Sequence, residues 1–236
     1  MSAGTLSYGI NDAISTGNVT VSGGYLNLGT FSDAVGTVQM TGGGIIGSGT
    51  LTSNAAYDMQ AGTVNAVLAG SVGLNKTGAG QVTLSNANTY TGTTTVTAGS
   101  LTYGTNNAIA SGGVTVNGGT LDLGTYSDTV GAVILSSGSI TSSTGVLTGT
   151  SYDMQSGTVY AILGGSAGLN KTGAGTVTLY NANTYTGTTT VGAGNLVYGM
   201  NNAIAGGPVT VSGGTLNIGT FTDTVGAVTL SSGTIA

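Results

Sequence analysis

The sequence contains no cysteine, histidine, arginine, glutamate or tryptophan, and one proline among 236 residues. Without cysteine there are no disulfides and no thiolate metal sites. Such a chain fits an extracellular protein that is stable without covalent staples. Charge is scarce too: two lysines and seven aspartates make up 4% of the chain and leave a net charge of -5. Two lysines cannot form the basic surface that nucleic-acid binding needs, so no nucleic-acid partner is expected. With no His, Arg or Glu, aspartate is the sole candidate for a general base. No apolar run reaches the roughly 18 residues of a membrane-crossing helix. Ser2-Ala-Gly-Thr5 after Met1 has neither a basic nor an apolar signal region. If the native protein is exported, its signal is therefore expected outside this sequence.

Glycine, by contrast, supplies 46 residues, and the hydrophobic fraction is 39%. The glycines recur in register with Val, Leu and Ile. That pattern favours an ordered repeat with a continuous apolar core over a disordered chain. The stretch Gly73–Gly99 returns at Gly168–Gly194, shifted by 95 residues, with differences only at Gln81/Thr176, Ser85/Tyr180 and Thr97/Gly192. Ala3-Gly-Thr-Leu-Ser-Tyr-Gly9 likewise returns from Ala98 and from Ala193. Three copies follow, at 3–97, 98–192 and, in part, 193–236. We read 1–236 as a single domain built from them.

A shorter period lies inside each copy. Small-residue closures stand at Gly23-Gly24, Gly42-Gly43, Ala61-Gly62, Ala79-Gly80 and Ala98-Gly99, about 19 residues apart. The residues around them alternate Val, Leu or Tyr with Thr, Ser or Asn, which is the period-2 pattern of half-buried strands. No segment keeps a helical period. The reading is all-β: a parallel β-helix, or β-solenoid, of about 12 coils of roughly 19 residues, five to each repeat. A single coil cannot bury its apolar face, but stacked coils can.

One corner of the coil carries a recurring Asn or Asp followed two residues later by an apolar side chain. Its members are Asp12, Asp33, Asn88, Asn107, Asp128, Asn183, Asn202 and Asp223. Asn and Asp suit turns and can bond nearby backbone, and stacked amides can form ladders. The pattern predicts a structural ladder along one corner. Ile14, Val35, Tyr90, Ile109, Val130, Tyr185, Ile204 and Val225 are expected to point inward beside it.

Leu169-Asn-Lys-Thr-Gly-Ala-Gly-Thr-Val-Thr-Leu-Tyr-Asn-Ala-Asn-Thr-Tyr-Thr-Gly-Thr-Thr-Thr-Val191, followed by Ala193-Gly-Asn-Leu196, resembles the autotransporter-associated β-strand repeat. So does 74–101. The resemblance implies a right-handed parallel β-helix in the secreted passenger of a type V system of a Gram-negative bacterium. Such passengers are stalks or adhesins, secreted or on the cell surface. The outer-membrane barrel of that family would show alternating strands with aromatic girdles. No such pattern is present, so the chain is expected to be a passenger fragment or a relative without that anchor.

Chemistry has few places to reside. Equivalent residues of successive copies lie five coils apart, so Lys76 and Lys171 cannot act together, nor can Asp58 and Asp153. Asp12 and Asp33 are the candidate pair, taken to share a corner in adjacent coils. Two carboxylates there would bind a cation or share a proton. The simpler reading is a hydrated corner where Asp replaces Asn, since copies two and three carry Asn107 and Asn202 at the Asp12 position. Lys76 and Lys171 fall on the inward side with Leu74 and Leu169. A buried unpaired ammonium is costly, so each lysine is expected to bond carbonyls or polar groups at a corner where its strand ends. A lysine contacting carbohydrate is the alternative.

Three functions were weighed. A structural extracellular rod, stalk or filament segment leads, with itself as partner through end-to-end stacking or as part of a longer repeat chain. An adhesin module for glycans or neighbouring cells is second. A polysaccharide-acting enzyme is third, because the fold hosts such enzymes but clustered acidic or basic groups are lacking. A Thr-x-Thr ice-binding array would need its motif in nearly every coil, whereas Thr93-Thr94-Thr95 recurs once per repeat. No cofactor is expected.

Overall fold

Val19–Asn27 shows how the pattern becomes structure: Val19, Val21 and Leu26 are buried, while Thr20, Ser22 and Tyr25 face solvent. The alternation holds in the short strands too, as in Tyr57–Met59, where Asp58 faces away from the core between two buried neighbours. A computed structural model of the protein describes residues 1–236. It contains strands and turns and no helix.

Each strand pairs in parallel with the equivalent strand of the next coil. Val19 stands opposite Val38, Tyr57 opposite Leu74, and Gly62 opposite Val82. The protein is thus a β-solenoid of about 12 coils. The coils are not uniform: the offset runs from 16 residues, at Val146 and Ile162, to 20 residues, at Gly62 and Val82.

The chain falls into two units, Met1–Gly113 and Val114–Ala236. In the first, one column of strands includes Thr5–Ser7, Gly62–Val64, Gln81–Leu84 and Ser100–Tyr103. The other column includes Tyr57–Met59, Leu74–Lys76 and Thr94–Val96. Val19–Asn27 and Val38–Ile46 each run through both columns, bent by a register shift after Val21 and its partner Met40. A third side carries a small sheet of three strands, Asp33–Val35, Thr50–Ser53 and Val67–Ala69. The second unit repeats this plan, and its small sheet is Asp128–Thr129, Val146–Thr148 and Ile162–Gly164. These third-side strands, two to four residues long, carry too little alternation for the sequence to mark them.

The bend between columns depends on glycine. Gly43 has φ +75°, and a Cβ there would lie 2.0 Å from Gly24 O of the coil before. Gly62 continues the corner with φ +122° and a Cβ position 2.4 Å from Gly43 O. Successive backbones approach too closely at this corner for any side chain.

The interior is a column of Val, Leu, Ile, Met and Tyr. Val35, Tyr90, Ile109, Val130, Tyr185 and Ile204 are all buried within it. Ile14 and Val225, in the first and last coils, are half-buried. Two tilted tyrosine pairs lie in this interior: Tyr57 with Tyr90 at 6.2 Å between centroids, and Tyr152 with Tyr185 at 6.1 Å.

Candidate functional site

Side chains link the small third-side sheet to the coils on either side of it. In the first unit Asn88 covers one edge: its Oδ1 accepts from Leu68 N at 2.8 Å. Its Nδ2 donates to Asn86 O at 3.1 Å and to Ala108 O of the following coil at 2.6 Å. One amide therefore joins three coils. Asn183 repeats this in the second unit, accepting from Leu163 N at 2.8 Å and donating to Ala203 O at 2.6 Å. At the opposite edge, Asp33 Oδ2 accepts from Ile14 N at 2.8 Å. Asp223, outside the second small sheet, makes the same bond: its Oδ2 accepts from Ile204 N at 3.1 Å. Asp128 is buried to the same extent as Asp33. A carboxylate suffices where only an acceptor is needed; an amide is required where the next coil also offers a carbonyl.

Asp12, Asn107 and Asn202 stand elsewhere. All three are exposed and adopt left-handed φ values of 53°, 54° and 56°. The expected eight-residue ladder is thus two sets: the exposed turn residues, and Asp33, Asn88, Asp128 and Asn183, which are buried, with the half-buried Asp223. Asn and Asp are the non-glycine residues that best tolerate this conformation. Beside Asp12 and Asn202, the preceding residue makes the cross-coil bond instead. Asn11 Oδ1 accepts from Ser32 N at 2.9 Å, and Asn201 Oδ1 accepts from Thr222 N at 3.0 Å.

This corrects the Asp12–Asp33 pairing. The coil offset places Ile14, not Asp12, beside the Asp33 carboxylate, and Asp12 N donates instead to Ser32 O at 2.9 Å. Asp33 is 2% exposed and Asp12 is open to solvent. The two carboxylates do not share a corner, and nowhere do three side chains of metal-ligating type come together. Near Asp33 lies the Tyr8 phenol. Burial first, and then the Asp33 carboxylate, push its pKa well up. No well-aligned hydrogen bond joins them: Tyr8 Oη and Asp33 Oδ1 both lack a partner.

Lys76 and Lys171 are fully buried, at 0% exposure. Each ends its strand, Leu74–Lys76 or Leu169–Lys171. Lys76 Nζ donates to Gly78 O and to Ala98 O at 2.9 Å. Lys171 Nζ donates to Gly173 O and to Ala193 O at 3.1 Å. Each ammonium thus caps carbonyls on two coils at the glycine corner. Burial lowers the pKa of both lysines, and Asp58 and Asp153 oppose the shift.

Asp58 anchors a polar cluster on the outer side of the same strands. Gln39 Nε2 and Gln60 Nε2 each donate to its Oδ2 at 2.9 Å. Thr77 Oγ1 donates to its Oδ1 at 2.5 Å. Desolvation raises the carboxyl pKa, but these bonds and the Lys76 charge outweigh it, and the net shift is downward. Asp153 keeps the Gln155 and Thr172 bonds; Ile134 replaces the Gln39 equivalent.

Sequence reasoning did not single out Tyr57 and Tyr152 as polar partners. The Tyr57 hydroxyl accepts from Ser53 N at 3.1 Å and lies 2.6 Å from Leu51 O. The Tyr152 hydroxyl accepts from Gly149 N and lies near Leu147 O, both at 2.7 Å. Burial pushes Tyr57 up to about 12, against the lowering effect of its backbone bonds. Their signal in the sequence is the repeated Tyr-Asp-Met at 57–59 and 152–154.

These polar side chains are spent on neighbouring coils. The passenger-associated-transport-repeat family matches residues 74–102, 103–123, 169–197 and 192–218. The adhesin BmaC autotransporter of Brucella suis biovar 1 (strain 1330) is 32% identical over 203 residues, covering 79% of this chain. The chain spans 5% of that relative's length. No solved structure matches. The matched residues include Lys76, Lys171, Asn88, Asn183, Tyr90 and Tyr185, whereas Tyr57 and Tyr152 lie outside them. The chain therefore carries passenger-associated-transport repeats, an autotransporter passenger repeat, stacked as a β-solenoid.

Proposed function

We propose that the chain is a non-enzymatic stalk segment of a passenger held on, or released from, the surface of a Gram-negative bacterium. The observation that carries this reading is where the polar groups go. Asn88, Asn183, Lys76 and Lys171 are buried and bonded to adjacent coils. A copied module whose distinctive polar residues all serve stacking supports a length-giving role.

Self-association is part of this proposal. Another coil of the same kind, in the same chain or in a second copy, can add by the parallel strand pairing that already joins neighbouring coils.

The second reading is an adhesin module that contacts glycans or neighbouring cells. It is favoured by the likeness to the Brucella relative, which is an adhesin. Purified chain applied to glycan arrays and to host cells separates the two. The stalk reading expects no saturable binding. Saturable binding that is lost on substitution of outward-facing side chains would replace it with the adhesin reading.

A further inference from the structure

Tyr160 and Tyr180 directly follow Val159 and Leu179, which pair across adjacent coils of the second unit. Their rings stack with centroids 4.5 Å apart and planes within 6° of parallel. Both remain exposed, at 44% and 41%. The Tyr180 ring also packs over Gly199, where a Cβ would come within 2.4 Å of Cδ1. With ring faces turned toward neighbouring coils, the edges and phenol oxygens are left to solvent.

The fold does not need these tyrosines. Copy one has Asn65 and Ser85 at the equivalent positions. The backbone bonds there are the same: Asn65 N to Ile45 O and Ser85 N to Val64 O, both 2.8 Å. Tyr160 N to Ile140 O and Tyr180 N to Val159 O match them at 2.8 Å. Two polar-to-tyrosine differences thus fall on two positions that touch. Tyr25, the other strongly exposed tyrosine, has no stacked ring partner.

We propose that Tyr160 and Tyr180 form an oxidative modification site, a dityrosine cross-link that ties adjacent coils in a chain without cysteine. The co-reactant is hydrogen peroxide used by a haem peroxidase. Each phenol gives up one hydrogen atom, and the two phenoxyl radicals carry spin on the ring carbons ortho to oxygen. A Cε–Cε bond forms between the rings. The hydrogens on the joined carbons then move to the oxygens and restore both phenols. The net change is loss of two hydrogen atoms from the protein and reduction of one peroxide to two waters. Exposed ring edges on two rings already in contact supply the approach that the reaction needs.

The chain supplies its own assay. Its two lysines, at 76 and 171, divide it into tryptic pieces 1–76, 77–171 and 172–236, so Tyr160 and Tyr180 fall on different pieces. Purified chain is treated with a haem peroxidase and hydrogen peroxide, denatured, and digested with trypsin. The expected result is dityrosine fluorescence, a monomer lighter by two hydrogens, and pieces 77–171 and 172–236 joined. Tyr160→Phe and Tyr180→Phe keep a stackable ring but have no phenol, and each is expected to reduce the joined product at least tenfold. Tyr25→Phe is expected to leave it unchanged. An unaltered monomer mass, unjoined pieces, an undiminished yield in Tyr180→Phe, or dityrosine only in dimers through Tyr25 would overturn the proposal.

Discussion

Asn88 accepts the backbone N–H of Leu68 at 2.8 Å while donating to Ala108 O at 2.6 Å. The interaction spans 20 residues in each direction, or one coil before and one after. Asn88→Asp keeps the acceptor and removes the donor, so Ala108 O faces a carboxylate. Asn88→Ala removes both. Leaving a buried backbone group without its partner costs about 1–3 kcal/mol. Urea unfolding is expected to show losses in that range for both variants and a smaller loss for Asn107→Gly, since Asn107 is exposed with φ 54°.

Lys76 supplies the donors that the glycine corner lacks. Lys76→Met fills similar space but leaves Gly78 O and Ala98 O without the ammonium. Removing that charge also relieves its desolvation, so the net loss is expected to stay near about 1–3 kcal/mol. Lys76→Ala adds a cavity and is expected to be worse. Equal stability of wild type and Lys76→Ala in urea unfolding would show that the buried ammonium contributes nothing.

Two glycines with positive φ provide a controlled contrast. At Gly124, φ is +57° and nothing lies within 4 Å of a built Cβ. Gly124→Ala is expected to cost only the left-handed penalty, about 1–2 kcal/mol. At Gly43 the same Cβ would lie 2.0 Å from Gly24 O. Gly43→Ala is expected to cost clearly more, with overpacking adding about 1–3 kcal/mol. Thermal unfolding of the two variants side by side checks the order.

The pH dependence has two limbs. Asp58 is held below its ordinary pKa of 3.8, so its contribution is present above that value and lost as pH falls through the lowered one. Tyr57 and Tyr185 are pushed from 10.0 up to about 12. Burial leads in both; hydrogen bonds oppose it. The folded chain keeps their protons where the unfolded chain loses them, so their contribution is full below pH 10 and lost as pH rises through about 12. Lys76 and Lys171 act in the opposite sense, because their folded pKa lies below 10.5. Unfolding followed across pH is expected to show a plateau from about pH 5 to 9, since no side chain of ordinary pKa titrates there. Alkaline loss is expected to coincide with tyrosinate absorbance.

The copies, the coil period and the inward faces were legible because alternation is a local signal that stacking reinforces. Leu74 and Lys76 on one side of a strand is such a case. The Lys76 partner Ala98, 22 residues on, was not, because it depends on how the following coil bends. Coil offsets that vary from 16 to 20 residues defeat corner assignment by counting. Asp12 and Asp33 were aligned by motif, yet the residue across from Asp33 is Ile14. The third-side strands, such as Asp128–Thr129, are too short for alternation to register.

Excising residues 98–192, one full period, from the parent passenger tests the central claim most directly. A stalk built from interchangeable copies predicts continued export and surface display, with the distal end brought closer to the cell by about five coils. Loss of cell or glycan binding with the display height unchanged would contradict it.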